Sequence, residues 1–159
     1  MLITLMSFLA LVSTGFLSGI LLGNRLGASF ALPRLPDSAF VQFQQAVHRN
    51  YVRFMPVLQI MAILSHGWLL LLLRNSAHPT ALALFSFAAA GSVIVFAITL
   101  TVNVPVNKKL MTWAVSNPPH NARELWRPWD KGNTVRTVFA ITVFVLDVLA
   151  ICLTMPRIF

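Results

Sequence analysis

Four stretches of this chain are nearly free of charge and close to bilayer length. Crossing roughly 30 Å of hydrocarbon takes about 20 apolar residues in a helix. The stretches lie at about residues 2–23, 54–73, 80–104 and 136–155. Each is continuously apolar, without the period of two that marks a barrel strand. In lipid, a helix satisfies its own backbone groups. The expected fold is therefore all-α: a polytopic membrane four-helix bundle, in one domain over residues 1–159. The first stretch lacks a basic leader and is too long for a signal-peptide core, so it reads as a retained span.

Composition narrows the function classes. Hydrophobic residues make up 57% of the chain and charged residues 10%. Soluble domains run at roughly 45–50% and about 25%. A mean hydropathy of +0.77 argues against a soluble globular enzyme and against disorder. The four acids (Asp37, Glu124, Asp130 and Asp147) are too few for a di-iron carboxylate bundle. The single Cys152 excludes an internal disulfide, a CxxC redox pair and a zinc ribbon, and no metal site is expected.

The net charge of +8 reads as membrane-flanking loops that meet lipid headgroups, rather than as a nucleic-acid surface. Loops 24–53 and 105–135 hold Arg25, Arg34, Arg49, Arg53, Lys108, Lys109, Arg123, Arg127 and Lys131, with Arg136 at the helix start. The other side has only Arg74 and Arg157. The positive-inside rule then puts these two loops in the cytoplasm and both termini outside, in a bacterial cell membrane if the chain is bacterial.

Segment 37–73 reads as one long element, an amphipathic extension leading into the second span. Asp37 or Ser38 is the expected N-cap, and Pro56 is expected to kink the helix. The short linker Asn75–Pro79 pairs spans two and three antiparallel. Pro128 fits the first turn of the last helix. Gly15, Gly19 and Gly23, at spacing four, suggest a close-packing face.

The informative residues are polar ones where apolar residues would cost less. At 100° per residue, Gln44, His48, Tyr51, Met55, Gln59 and His66 form one stripe. Trp129, Asn133, Arg136, Ala140 and Asp147 form another. Polar groups in hydrocarbon are expensive unless paired, so both stripes should face inward. His66 and Asp147 fall at one depth on helices running the same way, which predicts that they pair across the bundle. The alternative for Asp147 is a protonated or hydrated acid; for Gln59 and His66 it is simple helix cross-linking. Asn103-Val104-Pro105-Val106-Asn107 ends the third span, where proline should end or kink the helix and the asparagines serve as caps or ligands. His48, Tyr51, Asn103, Asn107, Trp129, Asn133 and Arg136 then gather at one end of the bundle, as a small-molecule site would.

Two of these motifs carry a resemblance. Asn103-x-Pro105-x-Asn107 and Trp129-x-x-x-Asn133-x-x-Arg136 resemble the patterns of the anthrone-oxygenase-like family. Its members are small four-helix membrane proteins, mostly of unknown function in bacteria. The resemblance implies oxygenation of a lipophilic anthrone or phenol by O₂ without metal or flavin, so no cofactor is expected. Many members have His where this chain has Asn133, and an Asn cannot act as a base. His48 is then the nearest base. Arg136, Asn103 and Asn107 would hold the enolate oxygen, with Asn133 beside them. Tyr51 and Trp129 would stack on the rings, and Gln44 and Gln59 would line the pocket.

Two other function classes fit the same residues. A haem- or quinone-binding redox subunit is one. His48 and His66 lie about 27 Å apart along one helix, so a single haem would need one His with Met55 or Met111. A proton-coupled transporter, working as a homo-oligomer with Asp147 and His66 as its relay, is the other.

Overall fold

The computed structural model describes residues 1–154. They form an all-helical bundle of four long helices. These are α1 (Leu2–Arg34), α2 (Asp37–Leu73), α3 (Pro79–Leu110) and α4 (Ala122–Thr154). Each is long and apolar enough to cross a membrane. Only 33–39% of each helix's most apolar window is buried inside the protein. The rest, including Phe8, Phe16, Leu64, Phe87 and Val138, faces outward. A soluble monomer does not expose apolar surface on that scale. Met155 and Arg157, assigned above to the last span and its outer flank, lie outside the described residues.

α1, α3 and α4 run beyond the apolar stretches read from sequence, while α2 covers the long element expected over residues 37–73. α1 does not stop at Gly23. It runs through a π turn at Asn24–Ala28 and closes in a 3₁₀ turn at Leu32–Arg34. The chain breaks at Leu35, whose ψ of 147° is extended because Pro36 follows. Asp37 is the first residue of α2 and makes no cap; its carboxylate instead accepts from Arg123 Nε at 2.9 Å. Ser38 makes no cap either. α2 then continues as one α-helix across Pro56. Its 37 residues measure about 55 Å, well beyond the hydrocarbon thickness. The N-terminal part, with exposed Arg49 and Arg53, is the amphipathic extension expected from sequence.

α3 does not end at Pro105. The proline ring removes a donor and crowds the carbonyl four residues back. The turn before it widens into a π turn at Thr99–Asn103, and helix resumes to Leu110. Pro128 is not in a first turn. It lies inside α4, which begins at Ala122.

Packing follows a closed ring. α1 lies against α2 and α4, and α3 lies against the same two helices. The tightest approach is between α3 and α4. A Cβ on Gly91 would stand 2.5 Å from Val143 Cγ2. The glycine face expected on α1 is not a packing seam along its length. Gly15 meets Phe144, but Gly19 and Gly23 have nothing within 4 Å. Three apolar layers fill the interior. Phe40, Leu110, Trp113 and Trp126 close the end that carries most of the basic residues. Leu17, Met55, Val95 and Ala140 occupy the middle. Ala10, Leu69, Phe85 and Ala150 pack the far end.

Candidate functional site

Buried polar groups are gathered at two depths. The deeper group takes one residue from each helix. His66 Nε2 on α2 lies 2.8 Å from Asp147 Oδ1 on α4. Thr14 Oγ1 on α1 donates to Asp147 Oδ2 at 2.8 Å. Ser92 Oγ on α3 lies 3.3 Å from His66 Nδ1. His66 and Asp147 are both completely buried. A buried carboxylate needs partners on both oxygens, and Asp147 has them. Thr14 and Ser92 were not among the residues singled out from sequence. A single hydroxyl in an apolar run gives no signal, because it can bond its own helix backbone, as Thr14 also does to Ala10.

The shallower group surrounds a cleft with about 90 Å³ of free volume. The long second helix contributes Gln44, His48, Tyr51 and Gln59 to its walls. Asn103 and Asn107 come from α3, and Trp129 and Arg136 from α4. Their side chains arrive on one side because the helical period puts each set on a single stripe. The π turn in α3 brings Thr99 and Asn103 to the same wall. Gln44, Gln59, Asn103 and Trp129 are buried; His48, Tyr51 and Asn107 are half-buried at the mouth.

Arg136 is the centre of this group. Its Nε and Nη2 donate to Asn133 Oδ1 at 3.2 and 3.0 Å, and its Nη1 donates to Thr99 Oγ1 at 3.2 Å. The guanidinium also sits 5.5 Å from the centre of the Trp129 ring. Every one of these partners is neutral. Asp37, Asp130 and Asp147 are paired elsewhere, and Glu124 is exposed in the first turn of α4. Arg136 is only 5% exposed, so it is a buried cation without a counter-ion among the described residues. Such a charge is costly by itself and favours an anion in the adjoining space.

Asn133 does not line the cleft. It is fully buried behind Arg136 and holds the guanidinium in place; its own Nδ2 has no partner among the described residues. Asn103 Nδ2 donates to the Trp129 carbonyl at 3.1 Å, while Asn103 Oδ1 and Trp129 Nε1 are unpartnered among the described residues. Thr99, which accepts from both Gln59 Nε2 at 3.0 Å and Arg136, was missed from sequence. Its signal was the spacing of four in Thr99, Asn103 and Asn107. Gln45 was missed as well. Its Nε2 donates to the carbonyls of Leu110 and Trp113, tying α2 to the end of α3.

His48 belongs to the extension that precedes the spanning part of α2. Partial burial first, and the adjacent Arg49 second, disfavour its imidazolium and lower its pKa below the usual histidine value. A neutral imidazole at pH 7 can accept a proton. The cleft thus combines a base at its mouth, an uncompensated cation in its wall, unpartnered amide and indole groups, and aromatic faces. That set can bind a flat, weakly acidic molecule and stabilise its anion.

A model of the anthrone oxygenase family matches residues 43–146, about two thirds of the chain and every residue named above in the cleft wall. Neither a curated protein nor a solved structure matches the chain. On that match, the chain belongs to the anthrone oxygenase family.

Proposed function

We propose that this is an integral membrane oxygenase that uses O₂ to oxidise a lipophilic, anthrone-like substrate, with no metal or organic cofactor. The observation that carries the reading is the buried, uncompensated guanidinium of Arg136 in the wall of the cleft. An anthrone is nearly neutral until its methylene loses a proton. The resulting enolate is the anion that Arg136 would stabilise, so the interaction grows along the reaction coordinate.

The chemistry balances as follows. His48 takes one methylene proton, and the enolate passes an electron to O₂. The two radicals join as a carbon-bound peroxide anion, which takes the proton back from His48 to become the hydroperoxide. Loss of the second methylene proton breaks the O–O bond. The carbon becomes a carbonyl and water leaves, so anthrone plus O₂ gives anthraquinone plus water. Asn107, and Asn103 through its second Nδ2 hydrogen, would hold the oxyanion with Arg136. Tyr51 and Trp129 would face the rings, with Gln44 and Gln59 along the wall. Both reactants partition into lipid, which gives the reaction a reason to sit in a membrane. The basic loops would face the cytoplasm and both termini the outside.

The test is quinone formation from an anthrone and O₂ by the purified protein in lipid, followed by absorbance and oxygen uptake. His48→Ala and Arg136→Ala should each lower the rate by about 10²–10³. Wild-type protein without turnover of anthrones or related phenols would overturn the reading. A Soret band in the purified protein would replace it with a haem-binding one.

A further inference from the structure

The stacked rings of Trp126 and Trp129, 5.0 Å apart, carry the cleft on one side and a second cavity on the other. This second cavity, of about 180 Å³, lies between the end of α1 and the start of α4. Ser29, Arg123, Trp126, Arg127 and the acidic Asp130 line it, together with apolar Leu32 and Phe40. Two of its polar groups, Ser29 Oγ and Trp126 Nε1, are buried without a hydrogen-bond partner among the described residues. Trp126 is 7% exposed, and an indole N–H is a donor only, so nothing but an acceptor can satisfy it.

The charges around this cavity are unequal. Arg25 is held by both oxygens of Asp130, at 3.0 and 3.2 Å. Arg123 is held by Asp37 and by the carbonyls of Leu32 and Leu35. Arg127 makes no ion pair among the described residues and is exposed at the rim. The one carboxylate lining the cavity, Asp130, is engaged by Arg25, which leaves Arg127 without an ion pair and Ser29 Oγ and Trp126 Nε1 without a partner among the described residues. Depth supplies the rest. Leu2–Gly23 covers about 33 Å, close to the full hydrocarbon thickness, and Ser29 follows six residues later. With Leu2–Gly23 taken as the hydrocarbon span, the cavity falls at the headgroup layer, with Leu32 and Phe40 as its apolar lining.

We propose that this cavity is a phosphate site that takes the headgroup of an anionic phospholipid. Arg127 supplies the charge, and Ser29 Oγ and Trp126 Nε1 donate to the phosphate oxygens. Basic pockets between membrane helices bind anionic headgroups on this principle. The site is separate from the oxygenation proposed above and does not depend on it.

The test uses the full chain in detergent and native mass spectrometry. Phosphatidylglycerol, phosphatidylcholine and inorganic phosphate are the probes. Wild-type protein should retain one phosphatidylglycerol in preference to phosphatidylcholine. Arg127→Gln should weaken retention about tenfold or more, and Ser29→Ala by a smaller factor, while the exposed control Lys109→Gln should change nothing. Arg127 is exposed, so its variant should keep the helical circular dichroism of the parent. Equal retention by wild type and Arg127→Gln overturns the proposal, as does equal retention of the two lipids. Saturable binding of inorganic phosphate, lost in Arg127→Gln, supports the phosphate chemistry and assigns it to the free ion if no lipid competes.

Discussion

His66 Nε2 and Asp147 Oδ1 stand 2.8 Å apart, 81 positions distant in the chain, in a part of the bundle that solvent does not reach. Thr14 and Ser92 complete the contact, so a single polar cluster ties all four helices together. It sits about 16 Å deeper than Arg136, by eleven residues of helical rise.

Removing one partner of that pair should leave the other buried and unmatched. Asp147→Ala is expected to lower stability by about 3 kcal/mol, measured by denaturant unfolding in mixed micelles. The double variant His66→Ala/Asp147→Ala should lose clearly less than the sum of the two single losses. Strict additivity would mean that the two side chains do not support each other.

The close approach of α3 and α4 makes a second expectation. Gly91→Ala drives a methyl into Val143 Cγ2 and should cost about 1–3 kcal/mol. Val143→Ala opens that space, so the double variant should recover part of the loss made by Gly91→Ala. Gly19→Ala, with nothing within 4 Å, should leave stability within about 0.5 kcal/mol of wild type.

The pH profile of turnover should have an acid limb belonging to His48. A general base works only in its unprotonated form. Burial and Arg49 lower the imidazole pKa, so activity should hold down to a pH below the ordinary histidine value of about 6.5 and then fall as the pH drops further. Arg49→Gln removes one of the two causes and should move the limb upward. A limb that stays in place in both Arg49→Gln and His48→Ala would assign the base elsewhere.

Asn133 acts through Arg136, so a charge placed there should be felt in the reaction without blocking the cleft. Asn133→Asp hands the guanidinium a carboxylate at the position that now offers a neutral oxygen 3.0 Å away. The substrate anion would then meet a neutralised cation. The expected result is a kcat lowered by about tenfold or more with little change in KM. Kinetics matching wild type would show that Arg136 does not need its charge.

Much of the architecture is legible in the residues themselves. Helix period places Gln44, His48, Tyr51 and Gln59 on one face, and the cost of polar groups in hydrocarbon turns that face inward. The equal depth of His66 and Asp147 follows from counting residues along two helices. The ends of the helices are less legible. Two prolines mislead in the same direction: Pro128 lies inside α4 rather than in its first turn, and Pro105 follows a π turn rather than ending α3. A proline's local penalty can be absorbed when the rest of the helix is packed, and nothing in the neighbouring residues reports that packing.

Helix number, apolar length and inward faces were thus settled locally, because backbone period and hydrocarbon thickness act on each segment alone. Partner choice was decided by the assembled bundle. Thr14 reaches Asp147 because of how α1 is turned about its axis, and Thr99 reaches Arg136 because of the widened turn in α3. The contact between Gly91 and Val143 sets how near α3 and α4 can lie. Rotation, depth and separation of helices are properties of pairs, so they appear only when the four are packed against one another.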